Sequence, residues 1–197
     1  SMVRKYTDKE LLDKVKELGS FKKYPSGYWI LAVRSKADKP NKFDDKFYIY
    51  KGEKFITVTT GTTNAGKSIL KGGFKKYNKK GAAIVKADEW YYDIYKYGLH
   101  RGKMPALRQR SSKPIKYFRD GNMNDKAEEI GEVYSGVIYT NFHGSTYNRG
   151  SLLERNEING WSAGCLVCNN NPKYESLIRL FRMSKQKYFS LCLIKEF

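Results

Sequence analysis

Few residues in this chain could hold a metal ion or a disulfide framework: 197 residues contain three cysteines and two histidines. A small, odd cysteine count excludes a disulfide-stapled scaffold and fits a reducing compartment or one reactive thiol. No apolar run approaches the ~18 residues that cross a bilayer, so no membrane span is expected. No basic-then-apolar leader ending in small residues is visible at the N-terminus. Acid is scarce as well: 20 Asp and Glu against 38 Lys and Arg leave a net charge of +18. A field of that sign draws in polyanions, whether nucleic acid, an anionic membrane face or acidic envelope polymers. A solvated lysine-rich surface explains it equally well. The lysines are scattered, which argues for a basic surface and against a detachable arm.

What is present is a foldable chain. Hydrophobic residues make up 40%, with 16 Tyr and 10 Phe, enough for a core. Thr7-Asp8-Lys9-Glu10 has the capping-box pattern, and Leu11, Leu12, Val15 and Leu18 follow on one helical face. Gly19 can close that helix. From Gly27 the period becomes that of strands: 28–33, 47–50, 55–59, 82–85, 115–118, 133–139 and 188–194. Lys51-Gly52-Glu53-Lys54 reads as a hairpin loop. A second helix is expected with Asn171 as its cap and Pro172 in its first position. This predicts an α+β, mostly β chain with a helix near each end. Residues 2–24 read as an N-terminal helical segment and 25–197 as one domain. The Gly-, Asn-, Ser- and Lys-rich stretches 61–81 and 141–171 are where function is expected.

Three motifs carry chemistry. Gly61-Thr62-Thr63-Asn64-Ala65-Gly66-Lys67-Ser68 fits the phosphate-binding loop letter for letter. Its context is wrong, because the required helix would run from Lys67 straight into Gly72-Gly73 within a β-rich pattern. No nucleotide is therefore expected there. Cys165-Leu166-Val167-Cys168 is a Cys-x-x-Cys, but a structural zinc site needs a second pair and only Cys192 remains, inside an apolar run. The third is stronger: His143 follows a strand, and Cys165 follows Ser162-Ala163-Gly164 downstream. A thiol attacks as thiolate, and an imidazole is the usual acceptor of its proton. A glycine before the cysteine permits a tight turn with free backbone N–H groups.

His143-Gly144 followed by Ser162-x-Gly164-Cys165 resembles the signature of the L,D-transpeptidase catalytic domain, the YkuD-like family. Trp161-Ser162-Ala163-Gly164-Cys165-Leu166-Val167 is similar to a divergent bacteriophage and bacterial branch with a Trp-Ser-Ala-Gly-Cys-Gln-Val block. Thr57 to Thr63, Leu99-His100-Arg101-Gly102-Lys103, Pro105-Ala106-Leu107, and Tyr117 to Asp120 with Asn122 and Asp125 agree with that branch in the same order. The chain departs from the family at Val167, where Arg or Asn is common, at Ala163, where many members have His, and at Leu166 in place of Gln.

The resemblance implies an L,D-transpeptidase-like β-sheet domain with no metal or organic cofactor. It implies that His143 deprotonates Cys165 for attack on an amide of a peptidoglycan stem peptide, and that an amine or water resolves the thioester. Gly144 or Ser145 would orient the imidazole through a carbonyl, and the N–H groups of Gly164 and Cys165 would hold the oxyanion. Ser162, Ser145, Trp161, His100, Arg101, Tyr117 and Arg119 are the candidate substrate-side residues. For Ser162 a turn role, and for His100 a surface position, are the simpler readings. The positive surface would hold the protein to anionic wall polymers, from the host cytoplasm or a virion with access to the wall. Two other readings stand beside this one. A basic nucleic-acid-binding module would use aromatic residues interleaved with lysines, as in 46–54. A catalytically inactive relative would serve as a wall-binding or virion structural protein.

Overall fold

The computed structural model describes residues 2–37, 39–66, 81–120 and 128–197. Helix α1 (Asp8–Lys16) starts at the expected capping box, with Thr7 Oγ1 accepting from Glu10 N and the Glu10 carboxylate accepting from Thr7 N at 2.9 Å. Leu11 and Val15 are buried on its inner face.

Strands β1 (Tyr28–Arg34), β2 (Asp45–Lys51) and β3 (Lys54–Thr62) form a meander, turning at Gly52, whose φ is +59°. Next come β4 (Ala82–Val85), β5 (Glu89–His100), β6 (Met104–Gln109), β7 (Ile115–Asp120) and β8 (Tyr134–Gly136). The short β9 (Phe142–His143) and β10 (Leu166–Cys168) precede helix α2 (Asn171–Ser184) and the last strand, β11 (Phe189–Lys195). Eight strands close a barrel in the order β1-β11-β5-β6-β9-β10-β3-β2, and β4-β7-β8 form a separate three-stranded sheet.

The near-continuous apolar run of β1 has a direct cause: both of its faces are covered. Ile30 and Ala32 point into the barrel cluster with Phe47, Ile49, Phe142, Leu191 and Leu193. Trp29, Leu31 and Val33 point outward into a second cluster roofed by Leu11 and Val15 of α1. Trp90 Nε1 donates to Val15 O at 2.8 Å and so satisfies a carbonyl near the end of α1. Helix α2 adds Tyr174, Leu177, Ile178 and Phe181 to the barrel cluster.

Several expectations need correction. The strands β5, β6, β9 and β10 were not anticipated, and the expected strand 133–139 shrinks to Tyr134–Gly136. Tyr139 adopts φ +56°, which breaks an extended run. The cap of α2 is Asn170, whose side chain accepts from Lys173 N, one residue earlier than expected. In the phosphate-loop look-alike, residues 61 and 62 belong to β3. The N–H groups of Thr63, Asn64 and Gly66 are committed to Asp45 Oδ2, Thr62 Oγ1 and Ser162 O. Lys67 and Ser68 lie outside the described residues, as do Asn122 and Asp125.

Candidate active site at the seam of barrel and small sheet

The site is assembled by one short parallel pairing. β10 runs beside β9 with Leu166 opposite Phe142 and Val167 opposite His143. Phe142, Leu166 and Cys168 face the barrel interior. Alternation then places Asn141, His143, Cys165 and Val167 on the other face. The same register carries Cys165 to a position opposite Asn141, and Asn141 N–H reaches its Sγ at 3.4 Å. His143 sits one diagonal step away, on the order of 8 Å between Cα atoms from strand spacing.

Cys165 is the partly exposed cysteine; Cys168 and Cys192 are buried. It opens onto a cavity of about 350 Å³ lined by Ala83, His100, Arg101, Arg108, Arg119, Ile138, Tyr139, Thr140, Asn141, Ala163 and Gly164. The turn before it leaves no room for a side chain. Gly164 has φ +125°, and a Cβ there would lie 2.6 Å from Ala83 O of β4. Ser162, 1% exposed, locks the turn by donating to Cys165 O at 2.8 Å and accepting from Gly164 N at 3.1 Å. The turn role of Ser162 is thus the one observed. The Gly164 N–H, expected to face an oxyanion, is instead spent inside this turn.

The two imidazoles stack on each other, with ring centroids 3.9 Å apart and planes 15° from parallel. Both are buried, His143 at 1% and His100 at 8% exposure. His100 is therefore not a surface histidine. His143 Nδ1 lies 2.6 Å from Gly144 O, a carbonyl, so Nδ1 carries the proton and Nε2 the lone pair. Asn141 Oδ1 accepts from Gln109 N, which turns its amide Nδ2 toward His100 Nδ1 at 3.0 Å and assigns the opposite tautomer to His100. Burial, then the His100 and Arg101 charges, depress His143 to about 3. Burial, Arg101 and Arg108 depress His100 to about 4. Both rings are neutral at pH 7.

The Cys165 thiol is shifted away from the thiolate form that attack requires. Burial pushes Cys165 up, against the opposing pull of Asn141 N–H and Arg101. Among the described residues, the hydrogen bonds of Cys165 Sγ go to Asn141 N and to Tyr139 O, the latter at 3.8 Å, and none joins it to a ring nitrogen of His143 or His100. The resting Cys165 is thus a neutral thiol and not half of an ion pair.

The remaining candidates divide. Gly144 supplies the carbonyl for His143, and a side chain on it would collide with Tyr174. Ser145 does not reach the cavity: it is fully buried, and its Oγ donates to Asn169 O. Arg101 and Arg119 line the cavity, whereas Tyr117 stands behind, with the Arg119 guanidinium 5.0 Å above its ring. Trp161 lines a neighbouring depression of about 260 Å³ with Tyr147 and Arg155, and His100 and Arg101 form the ridge between the two. Sequence reasoning missed Asn141 and Arg108. Neither sits in a motif of its own; they reach the site because β6, β9 and β10 are neighbours.

Among the described residues no group of three or more His, Cys, Asp or Glu side chains could hold a metal ion. No protein-family model, curated protein or solved structure matches the chain.

Proposed function

We propose that this protein is a cysteine-dependent acyltransferase or hydrolase of the L,D-transpeptidase type, acting on peptidoglycan stem peptides through Cys165. What supports the reading is one partly exposed thiol in a Ser-x-Gly-Cys turn, just ahead of the strand β10 that pairs with the His143 strand β9. His143 Nδ1 is held by Gly144 O, which leaves the lone pair on Nε2.

In the proposed reaction a substrate amide enters the cavity and its carbonyl carbon approaches Sγ. The proton leaves sulfur for His143 Nε2 as the S–C bond forms, so thiolate exists only during attack. Catalytic hydrogen bonds of this kind are long in empty sites and tighten in the substrate complex. With the Gly164 N–H engaged elsewhere, the Cys165 N–H is the backbone donor left for the oxyanion. Collapse breaks the amide C–N bond, and the imidazolium returns the proton to the departing amine. A second amine, or water, then attacks the thioester and frees Cys165.

Purified muropeptides incubated with the protein test this by mass spectrometry of products and of the intact chain. The expected result is an altered muropeptide and an acyl adduct on Cys165, both lost in Cys165→Ala. Unchanged muropeptides, or turnover that survives Cys165→Ala, would overturn it.

A further inference from the structure

Three arginines line the Cys165 cavity, and no carboxylate does among the described residues. They come from different elements. Arg101 sits in the turn between β5 and β6, Arg108 on β6 and Arg119 on β7 of the small sheet. Arg119 is partly satisfied, donating to Gly81 O at 3.2 Å and covering Tyr117. Arg101 and Arg108 have no ion pair or side-chain hydrogen bond among the described residues. Both are exposed, with their charges facing the solvent at the mouth of the cavity. Among the described residues, then, no carboxylate meets Arg101 or Arg108 around a hollow that also carries apolar wall from Ala83, Ile138 and Ala163.

We propose that this cavity binds a carboxylate of the acyl substrate between Arg101, Arg108 and Arg119, so that the protein selects acidic peptides over neutral ones. The proposal rests on the acyl-transfer reading for the identity of the reacting atom. Guanidinium presents paired N–H donors that match the two oxygens of a carboxylate, and the apolar wall suits the aliphatic chain that would carry it. Arg101 is close enough to depress both imidazoles and to pull down the Cys165 thiol, so its charge acts at the reacting atoms themselves. An anion seated there would also bring its neighbouring amide to Sγ, converting charge attraction into orientation.

The test compares two alkylating reagents that differ in charge. Iodoacetate carries a carboxylate and iodoacetamide does not. The rate ratio of iodoacetate to iodoacetamide at Cys165 is expected to exceed that of glutathione by at least about tenfold, the lower end of electrostatic focusing in a charged cleft. Arg108→Gln, and Arg101→Asn (a residue that tolerates the positive φ there), should each remove most of that preference. Lys54→Gln, which removes one positive charge at an exposed hairpin, should leave it intact and so exclude the general +18 field as the cause. A ratio equal to that of glutathione, or one insensitive to Arg108→Gln, would overturn the proposal while leaving Cys165 reactive. Should Cys165 take up neither reagent, the acyl-transfer reading fails, and titration of glutarate against glutaramide, followed by amide chemical shifts, decides the anion site separately. Saturable shifts at Arg101, Asn141 and Cys165 with glutarate, lost in Arg108→Gln, would support it. Their absence, or equal shifts with inorganic phosphate, would overturn the carboxylate assignment.

Discussion

Ser162→Ala is the substitution whose consequence follows most directly from the geometry. The hydroxyl donates to Cys165 O at 2.8 Å and accepts from Gly164 N at 3.1 Å, and the side chain is 1% exposed. Alanine keeps the backbone bond from Gly66 N to Ser162 O but leaves the other two partners unmet. Each buried group left unsatisfied costs about 1–3 kcal/mol, so two put the expected loss at roughly 2–6 kcal/mol. For a chain of this size that lowers Tm by roughly 4–24 °C. Urea or thermal denaturation followed by circular dichroism measures it, with exposed Ser111→Ala as the control expected within about 0.5 kcal/mol. A Ser162→Ala loss no larger than the control would refute the claim that this hydroxyl fastens the cysteine turn.

Gly164→Ala combines a left-handed φ with a Cβ 2.6 Å from Ala83 O, and should destabilise by at least about 1–3 kcal/mol, whereas Gly160→Ala, with open space around it, should be near neutral; equal denaturation midpoints would contradict the packing of the turn on β4. Because burial raises the Cys165 thiol and no imidazole bonds it at rest, its alkylation rate should keep climbing through pH 9; a plateau between pH 5 and 8 would instead reveal a resting ion pair. Asp45, raised to about 7 by burial and then by Asp44, ionises at a cost to the fold: its contribution is intact below about pH 4 and is lost as pH rises to 7. Asp45→Asn cannot ionise, so its stability should gain on the parent by more than about 1 kcal/mol between pH 5 and 8, and a constant gap in denaturant titrations would show that Asp45 does not titrate there.

How much was legible depended on how local each cause is. The capping box of α1 and the aromatic, β-branched run of β1 are written within a few residues, and both elements form where the sequence predicts them; that β1 is covered on both faces is not legible locally. β5 was missed because its alternation is interrupted: Asp93 has φ +49°, and the pairing with β11 slips register between Phe189 and Leu191. β6 contains Pro105, which reads as an interruption although Leu99 pairs with it across the hairpin. β9 and β10, at two and three residues, are too short for any periodicity to register. The same contrast holds at the site. Ser162, Gly164 and Cys165 act within one turn and are visible as a motif. Asn141 matters because its backbone meets Cys165 while its side chain meets His100 and Gln109, a convergence of three elements that no local pattern encodes.

That convergence bears on how the site works. The cysteine turn is clamped by parts of the chain distant in sequence: Asn159 N donates to Asn41 Oδ1 at 2.7 Å, Ile158 N to Asn41 O at 3.1 Å, and Gly66 N to Ser162 O at 3.0 Å. Gly164 rests against β4, and Gly66 against the Asn159 backbone. A turn whose polar groups are paired in this way holds its shape, because opening it would strand buried donors and acceptors. The imidazoles are equally fixed, each by one ring nitrogen and by their mutual stack. Arg101 and Arg108, by contrast, are exposed and have no ion pair among the described residues. The protein therefore supplies a rigid frame around a resting thiol, and in the proposed reaction the substrate completes the site by excluding water and neutralising the arginines.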